Sequence, residues 1–568
     1  MFDGYWLPLN IKNKVITSST EFTSLSFNKG RPSLPGNQDA TSARWPILEA
    51  NDWKVLLDEL HRNRLKAPKG KDLWNRLQSA FKHVGRRLAN PEDELAIQVQ
   101  QSLPNYTGFS PAMIQVVSQA IELFALDQVA DAQQAIPTHD LQLEWGRIPN
   151  LPGRFRFYPS RKMDAVKTLF PRITHKPIFR SPQNPSGILG YGAGNVPGTA
   201  LLIALLALST SINGSLPPVT IIRNSRQEPI FSPLILQALE EVDAELVATL
   251  AVLVWDYDDK TIQDTLLTQV DLVIAAASDE TIYQIQSQID LYKQKSGKRI
   301  RFIPHGHKVS FSTIFSDVVS SKLPEPGGQI PILDIVCLLA GLDSIFWDQF
   351  GCLSSRFHFV EENNVVENLE LSSAHRYAQK LEEQLSILSK ILPRGNWPIQ
   401  PLHDRFDALK QLEKNGQVKV YSKYDDPYLV ALDHRALSDY QLHKSINECQ
   451  GRIIIIRPVS DVMQIPRLYL KSLPSTNLQS MNIAHGHKDE GLTNRFLQFS
   501  SDCGKCGITS IRTVGRGAFP QLPYSWDGFI PLDLTSIRFP GYFTTIEFEK
   551  PMNQILETYD LYRRNYLP

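Results

Sequence analysis

Apolar positions along the chain follow two periods, and the change between them divides it. From Trp45 to Ala135 they recur at three- and four-residue spacing with charges between them. The runs Ile47 to Leu60 and Leu73 to Leu88 show this best and predict amphipathic helices. Ser110 before Pro111 reads as an N-cap with proline at the first helical position, opening a helix through Ile121, Leu123 and Phe124. Residues 1–45 are rich in Ser, Thr, Asn, Pro and Gly. They read as an irregular, peripheral lead-in with a strand-like stretch at Lys14 to Thr17.

After Arg147 short β-branched runs alternate with helical ones. Val219 to Arg223, Leu250 to Trp255, Val270 to Ala276 and Ile300 to Ile303 read as strands. Thr199 to Ser211, Pro233 to Ala244, Thr261 to Thr268 and Glu280 to Lys293 read as helices. This alternation predicts βαβ units and an α/β fold with a parallel sheet covered on both faces. Ligands are then expected at the carboxyl ends of the strands. Residues 330–450 continue as α/β, with a charged helix at Ser373 to Leu392 that reads as surface or an oligomer contact. The four isoleucines Ile453 to Ile456 fit a strand buried on both faces. Beyond residue 460 the pattern is of Pro- and Gly-punctuated strands and turns, closing on a short helix near Ile555 to Arg564.

Composition narrows the class. With 568 residues, 42% of them hydrophobic, the chain can bury a large core, and its length suggests about three domains. Lys plus Arg and Asp plus Glu are 59 each, and a net charge of zero argues against a nucleic-acid or polybasic membrane partner. Five cysteines are too few for a disulfide framework and suit a reducing compartment. Met1 to Trp6 lacks a basic, then apolar, leader pattern. The most apolar run, Thr199 to Leu208, is about half of a bilayer span. A cytoplasmic protein with no membrane span is expected.

Two stretches carry candidate chemistry. Asp348 to Ser355 places Cys352 in a Gly/Ser-flanked turn between the apolar segment Ile330 to Phe346 and the strand-like Arg356 to Val360. Secondary structure on both sides would hold the thiol at the mouth of a pocket; a packing cysteine is the other reading. The second stretch, Gly190 to Gly198, is Gly-rich and leads directly into the apolar helix at Thr199. Its spacing does not match the dinucleotide fingerprint. Either it is a plain loop entering a helix, or Asn195 offers an amide to a developing oxyanion at the helix's positive end. Cys503 and Cys506, with His485 and His487 nearby, complete no standard zinc site. They read as a turn with packing cysteines, and no metal is expected. Glu361 and Glu362 read as a solvated strand end, and His305 and His307 as partners of loop backbone.

Five motifs, in order, carry a family resemblance. Gly194-Asn195-Val196-Pro197-Gly198 before its helix resembles the acyl-CoA reductases of bacterial bioluminescence, the LuxC type. Arg223-Asn224-Ser225-Arg226-Gln227-Glu228-Pro229-Ile230-Phe231 is similar to their Lys-Pro-Ser-Ser-x-Glu-Pro-Leu-Phe, and Ser278-Asp279-Glu280 to their Gly-Gly-Asp-Glu turn. Gly306 to Phe311 resembles Gly-His-Arg-Val-Ser-Phe, and Asp348 to Ser354 resembles Asp-Gln-x-x-Cys-Leu-Ser. Thr107 to Pro111 and Gly507 to Thr509 fit more loosely. The resemblance covers residues 100–360 well, the C-terminal third diffusely, and not the first 90.

The resemblance implies an aldehyde-dehydrogenase-like fold, with a Rossmann-type parallel-sheet domain and an α/β catalytic domain. The expected division is residues 1–95 as N-terminal lead-in and helical region, 96–325 as the nucleotide-binding domain and 326–490 as the catalytic domain carrying Cys352. Residues 491–568 are expected to return to the nucleotide-binding domain. It further implies NADPH-dependent reduction of a long-chain fatty acyl thioester to an aldehyde. Cys352 would be the nucleophile, and Asn195 with the Cys352 N–H the oxyanion hole. Arg223 and Ser225 would meet the adenosine ribose or 2′-phosphate of NADP, with Ser278, Gly194 and Gly306 near the cofactor. A solvated strand end at Arg223 and a simple N-cap at Ser278 are the alternatives. A homo-oligomer is implied, supplied with acyl groups by an acyl-protein synthetase or acyl carrier.

The chain departs from that pattern in places. Arg223 and Asn224 stand for the usual Lys-Pro, and Ala276-Ala277-Ser278 for glycines, which would crowd a pyrophosphate. Pro304 to Lys308 has no glutamate of the kind that activates water in hydrolytic aldehyde dehydrogenases. Reduction to a free aldehyde needs no such base. Two other readings stay open: a nonreductive acyltransferase or thioesterase on the same fold, and a catalytically silent scaffold for an acyl-activating partner.

Overall fold

The computed structural model describes residues 1–33, 37, 39–123, 146–147, 154–159, 185–211, 214–256, 259–320, 322–325, 328–362, 372–486, 494–517, 526–527, 543–546 and 551–565. The chain forms two compact units. The first comprises Met1–Ala130, Ile178–His307 and Pro531–Pro540, and the second Asp131–Pro177, Lys308–Ile530 and Gly541–Pro568.

The first unit opens with a small sheet of Phe2–Asp3 (β1), Phe22–Asn28 (β2), Arg31–Pro32 (β3) and Thr41–Pro46 (β4), ordered β1-β4-β2-β3. The lead-in is therefore structured, not peripheral: Tyr5, Trp6 and Leu7 are buried, and Trp6 exchanges both backbone hydrogen bonds with Val252. Lys14 to Thr17 is not a strand either. Leu9–Val15 is helical because Ile11 and Val15, four apart, share the buried face. Helices Ala50–Arg64, Gly70–Ala89, Glu94–Thr107 and Pro111–Leu123 follow; the expected helical stretch from Phe124 to Ala135 lies outside the described residues. Gly146–Arg147 (β5) and Arg154–Pro159 (β6) belong to the second unit.

The core of the first unit is a five-stranded, all-parallel sheet. Its strands are Gly187–Tyr191 (β7), Val219–Arg223 (β8), Leu250–Leu253 (β9), Leu272–Ala276 (β10) and Arg301–His305 (β11). The order β11-β10-β7-β8-β9 makes β7 and β10 neighbours from which the chain leaves in opposite directions. That is the place where an open parallel sheet leaves a crevice at its carboxyl edge. The helix Thr199–Ser209 is apolar all round and buried almost throughout, as such a helix must be.

The second unit is built on a ten-stranded sheet. Its further strands are Val309–Ile314 (β12), Ser355–Glu361 (β15), Val418–Val420 (β16), Leu429–Asp433 (β17), Ile453–Val459 (β18), Leu478–Ala484 (β19), Ser510–Thr513 (β20) and Phe543–Ile546 (β21). Lys322–Glu325 (β13) and Gly328–Pro331 (β14) form a separate hairpin. The order is β16-β17-β18-β15-β12-β19-β20-β21-β6-β5, parallel from β17 to β21. One face carries Phe311, Phe357, Met481 and Ile511. The alternate positions are polar, with Ser310 paired to Ser355, Ser480 to Ser510, Ser312 to His358 and Asn482 to Arg512. His358 bridges Ser344 and Tyr377, both at 2.8 Å, and burial pushes its pKa down to about 3.

Three expectations are corrected here. The helix Ser373–Ile391 is a layer of the core, burying Tyr377, Leu381, Leu385 and Leu388 against the helix Ile332–Ile345, and is not simply a surface feature. Glu361 is no solvated strand end: it is buried, accepts from Ser316 N, Ser316 Oγ and Val462 N, and pairs with Arg495. Cys503 and Cys506 sit in the last turn of a helix, Asn494–Cys506, where Cys503 is buried. His487 lies outside the described residues. Among the described residues no helix is long and apolar enough to cross a membrane.

Candidate active site

Cys352 lies where the helix Ile332–Ile345 ends and β15 begins. The turn between them is bent by three consecutive non-glycine residues in the left-handed region, Trp347 (φ 55°), Asp348 (φ 48°) and Gln349 (φ 62°). Each such residue costs on the order of 1–3 kcal/mol and persists only where its surroundings fix it. Those fixings are visible. Asp348 Oδ1 accepts from Arg452 Nε at 2.6 Å, and its Oδ2 accepts from Gly395 N at 3.0 Å and Trp397 Nε1 at 3.1 Å. Gln349 Nε2 donates to Ser355 O and Ile453 O, while its Oε1 accepts from Ile453 N. Asp348 and Gln349 thus tie the turn to the start of β18.

The turn presents a partly buried thiol. The Cys352 carbonyl accepts from Ser310 Oγ at 2.8 Å, and Ser310 Oγ in turn accepts from Ser480 Oγ at 2.8 Å. The polar face of the sheet therefore sets the position of the Cys352 main chain. Burial pushes the thiol up to about 11, and the Asp527 carboxylate adds to this. A hydrogen bond from Gln479 and the charge of Lys308 work the other way. Lys308 immediately precedes β12 and also donates to Thr476 O. Of the other cysteines, Cys337, Cys449 and Cys503 are buried.

In the first unit, the five expected cofactor residues all lie at or just after strand ends on one edge of the parallel sheet. Gly194 follows β7, Arg223 closes β8 and Ser225 follows it, Ser278 follows β10 and Gly306 follows β11. Gly194 packs so closely on the β8 loop that a Cβ there would come within 2.3 Å of Ser225 Oγ and 2.6 Å of Gln227 Cβ. Arg223 Nε donates to Trp255 O at 2.8 Å, and Ser225 Oγ accepts from Gln227 N at 3.1 Å. Ser278 is the N-cap of the helix Asp279–Ser296, accepting from Thr281 N at 3.3 Å. A Cβ on Gly306 would meet Asp279 Oδ1 at 2.3 Å, and the same oxygen accepts from His307 N at 2.7 Å. So the β7 and β8 loops touch, and so do the β10 and β11 loops.

Asn195 is exposed on the loop after β7, in the first unit, while Cys352 belongs to the second. The β8 loop is held from below by Glu228, a buried carboxylate that accepts from Ile230 N at 3.0 Å and Phe231 N at 2.8 Å. Burial raises its pKa to about 7, against these donors and Gly198 N. Sequence reasoning gave no role to Glu228, Asp348, Gln349, Arg452, Gln479 or Asp527. The first three stand inside quoted motifs, which was the available signal. Arg452, Gln479 and Asp527 are distant in sequence and carry none.

The sequence profile described as Acyl-CoA reductase (LuxC) matches residues 178–537, more than half of the chain. No curated protein sequence matches. Among solved structures, aldehyde dehydrogenase 21 from Physcomitrella patens is similar at 12% identity and TM-score 0.52, covering 92% of this chain and 96% of that one. The Δ-pyrroline-5-carboxylate dehydrogenase from Mycobacterium tuberculosis is similar at 11% identity and TM-score 0.53, with 94% and 88% covered. A NAD-dependent benzaldehyde dehydrogenase from Corynebacterium glutamicum gives 12% identity and TM-score 0.50, with 92% and 98% covered. At such identities the likeness speaks for the fold, which is aldehyde-dehydrogenase-like.

Proposed function

The chain belongs to the acyl-CoA reductase (LuxC) family, and from that membership we propose that it reduces a long-chain fatty acyl thioester to the fatty aldehyde with NADPH, through an acyl group carried on Cys352. Family and fold together make it an oxidoreductase of the LuxC and aldehyde dehydrogenase type. The observation that carries the finer reading is the strained turn at Trp347, Asp348 and Gln349, fixed from two sides, with a partly buried cysteine three residues on. Strain of that kind persists where a function needs one geometry.

In this reading the Cys352 thiolate attacks the thioester carbonyl; the donor's carbon–sulfur bond breaks and the acyl group passes to Cys352. Asn195 and the Cys352 N–H steady the oxyanion, a contribution of a few kcal/mol per donor in acyl transfer of this type, about 3–4. Gly194, Arg223, Ser225, Ser278 and Gly306, which lie at or just after strand ends on one edge of the parallel sheet, would be the residues that hold a nicotinamide dinucleotide. Bound NADPH supplies the hydride that takes the acyl group to the aldehyde level. Release of aldehyde returns the Cys352 thiolate. An acyl-CoA, or acyl groups from an acyl-protein synthetase or carrier, would serve as donor to a cytoplasmic homo-oligomer. A nonreductive acyltransferase is the second reading, favoured by Ala277 and Ser278 standing where the family has glycines.

The test follows the absorbance of NADPH with a long-chain acyl-CoA, for wild type and Cys352→Ala. Oxidation with aldehyde formation, absent in the variant, is the expected result. Acyl label retained on Cys352 without oxidation would replace the reductase by the acyltransferase.

A further inference from the structure

We infer that Gln479 is a further catalytic residue: its side-chain amide, held by Asp527, donates a hydrogen bond to the Cys352 sulfur when that sulfur is a thiolate. The inference rests on Cys352 being the nucleophile. Gln479 stands in β19, beside the Ser310 and Ser480 pair that fixes the Cys352 carbonyl. It is 2% exposed, and its carbonyl is fixed twice, by Thr509 N at 2.8 Å and Thr509 Oγ1 at 3.1 Å. Its Nε2 donates to Asp527 Oδ1 at 2.6 Å, which fixes which end of the amide is the donor. Asp527 is 8% exposed and holds φ at 53°, a strained non-glycine residue in addition to the three of the Cys352 turn. Among the described residues Gln479 Oε1 has no hydrogen-bond partner, so the bond from Nε2 to Asp527 is what orients the amide.

The chemistry follows from the parts. An amide N–H stabilises a thiolate more than a thiol, so Gln479 favours the reactive form. Asp527 does two opposed things: it aims the amide, and its own charge disfavours a second anion nearby. The other charges that reach the sulfur are Lys308 just before β12, which favours the thiolate, and Arg356 on β15, which the thiolate would favour in turn. Asp527 is thus a positioning residue, and the pair sets how much thiolate the turn holds at neutral pH.

The two substitutions should move the thiol in opposite directions. In the full-length protein, the rate of Cys352 alkylation by iodoacetamide, read by peptide mass, is followed against pH. Gln479→Leu should slow alkylation at about pH 8 by threefold or more, and Asp527→Asn, which keeps shape and acceptor but loses the charge, should speed it by about threefold; each corresponds to roughly half a pKa unit. A merely structural pair would give no shift, or shifts of the same sign, and either result overturns the inference. Alkylation needs no substrate, so it stays readable even where acyl transfer to Cys352 fails and the proposed function falls.

Discussion

The carboxylate of Asp348 accepts from Arg452 Nε at 2.6 Å, and neither side chain is exposed to solvent. Arg452 comes from the start of β18, 104 residues further along the chain. It also donates to Leu392 O at 2.8 Å, and burial alone would lower its pKa. A buried pair of this kind is weak evidence of net stability, yet breaking it strands a charge.

Asp348→Asn should therefore destabilise the protein by about 3–5 kcal/mol, because Arg452 stays buried without its counter-charge. The left-handed turn would lose its main fixing, and acyl labelling of Cys352 should fall as well. Urea unfolding of variant and wild type gives the first number. A difference below about 1 kcal/mol would mean that Gly395 and Trp397 hold the turn without the ion pair.

Gly194→Ala tests the other half of the reaction. The added methyl has Ser225 Oγ 2.3 Å away and Gln227 Cβ 2.6 Å away, so the β7 and β8 loops must part. The Michaelis constant for NADPH should rise about tenfold or more, as expected when a loop is displaced by an ångström. Acyl labelling of Cys352 from acyl-CoA should be unchanged. Loss of labelling together with cofactor affinity would show that the substitution unfolds the unit.

Much of this was legible in the sequence, and the reasons differ by residue. The strands β8 to β11 announced themselves because a parallel sheet covered on both faces needs unbroken apolar runs such as Val219 to Ile222, whereas β7, Gly187–Tyr191, with two glycines in five residues, did not. The Gly194 loop and the Cys352 turn were legible because four glycines cluster within Gly190 to Gly198, cysteine is sparse, and the chemistry of both is local. Glu361 misled, since a carboxylate at a strand end is usually solvated; its burial is made tolerable by partners distant in sequence, Ser316, Val462 and Arg495, the last 134 residues away. Trp6 misled for a similar reason: its pairing with Val252 is a long-range bond that no local pattern encodes. The left-handed Trp347, Asp348 and Gln349 were not legible, because non-glycine residues do not choose that region locally.

Glu228 gives the protein a pH dependence whose direction can be worked out. Its pKa is raised from 4.5 to about 7 by burial, so the folded state binds the proton more tightly than the unfolded state. The stability it contributes is present below about pH 4.5 and is lost as pH rises through about 7. Between those limits the loss should reach roughly 3 kcal/mol. Glu228→Gln, which is neutral and keeps an acceptor for Ile230 N and Phe231 N, should flatten that slope. Chemical unfolding at several pH values measures it, and parallel slopes in the two proteins would assign the dependence elsewhere.

The Trp6 and Val252 bridge has a consequence for how the molecule behaves in a crowd. β9 is the outermost strand of the first unit's parallel sheet, and an outermost strand offers unpaired N–H and C=O groups to any passing chain. Trp6 N donates to Val252 O at 2.7 Å and Val252 N to Trp6 O at 2.9 Å, which occupies both groups at the middle of that strand. The indole Nε1 of Trp6 is fastened in turn to Glu240 at 3.2 Å. A segment without helix or sheet of its own thus acts as a selvedge, guarding a flat, apolar strand against intermolecular β-pairing.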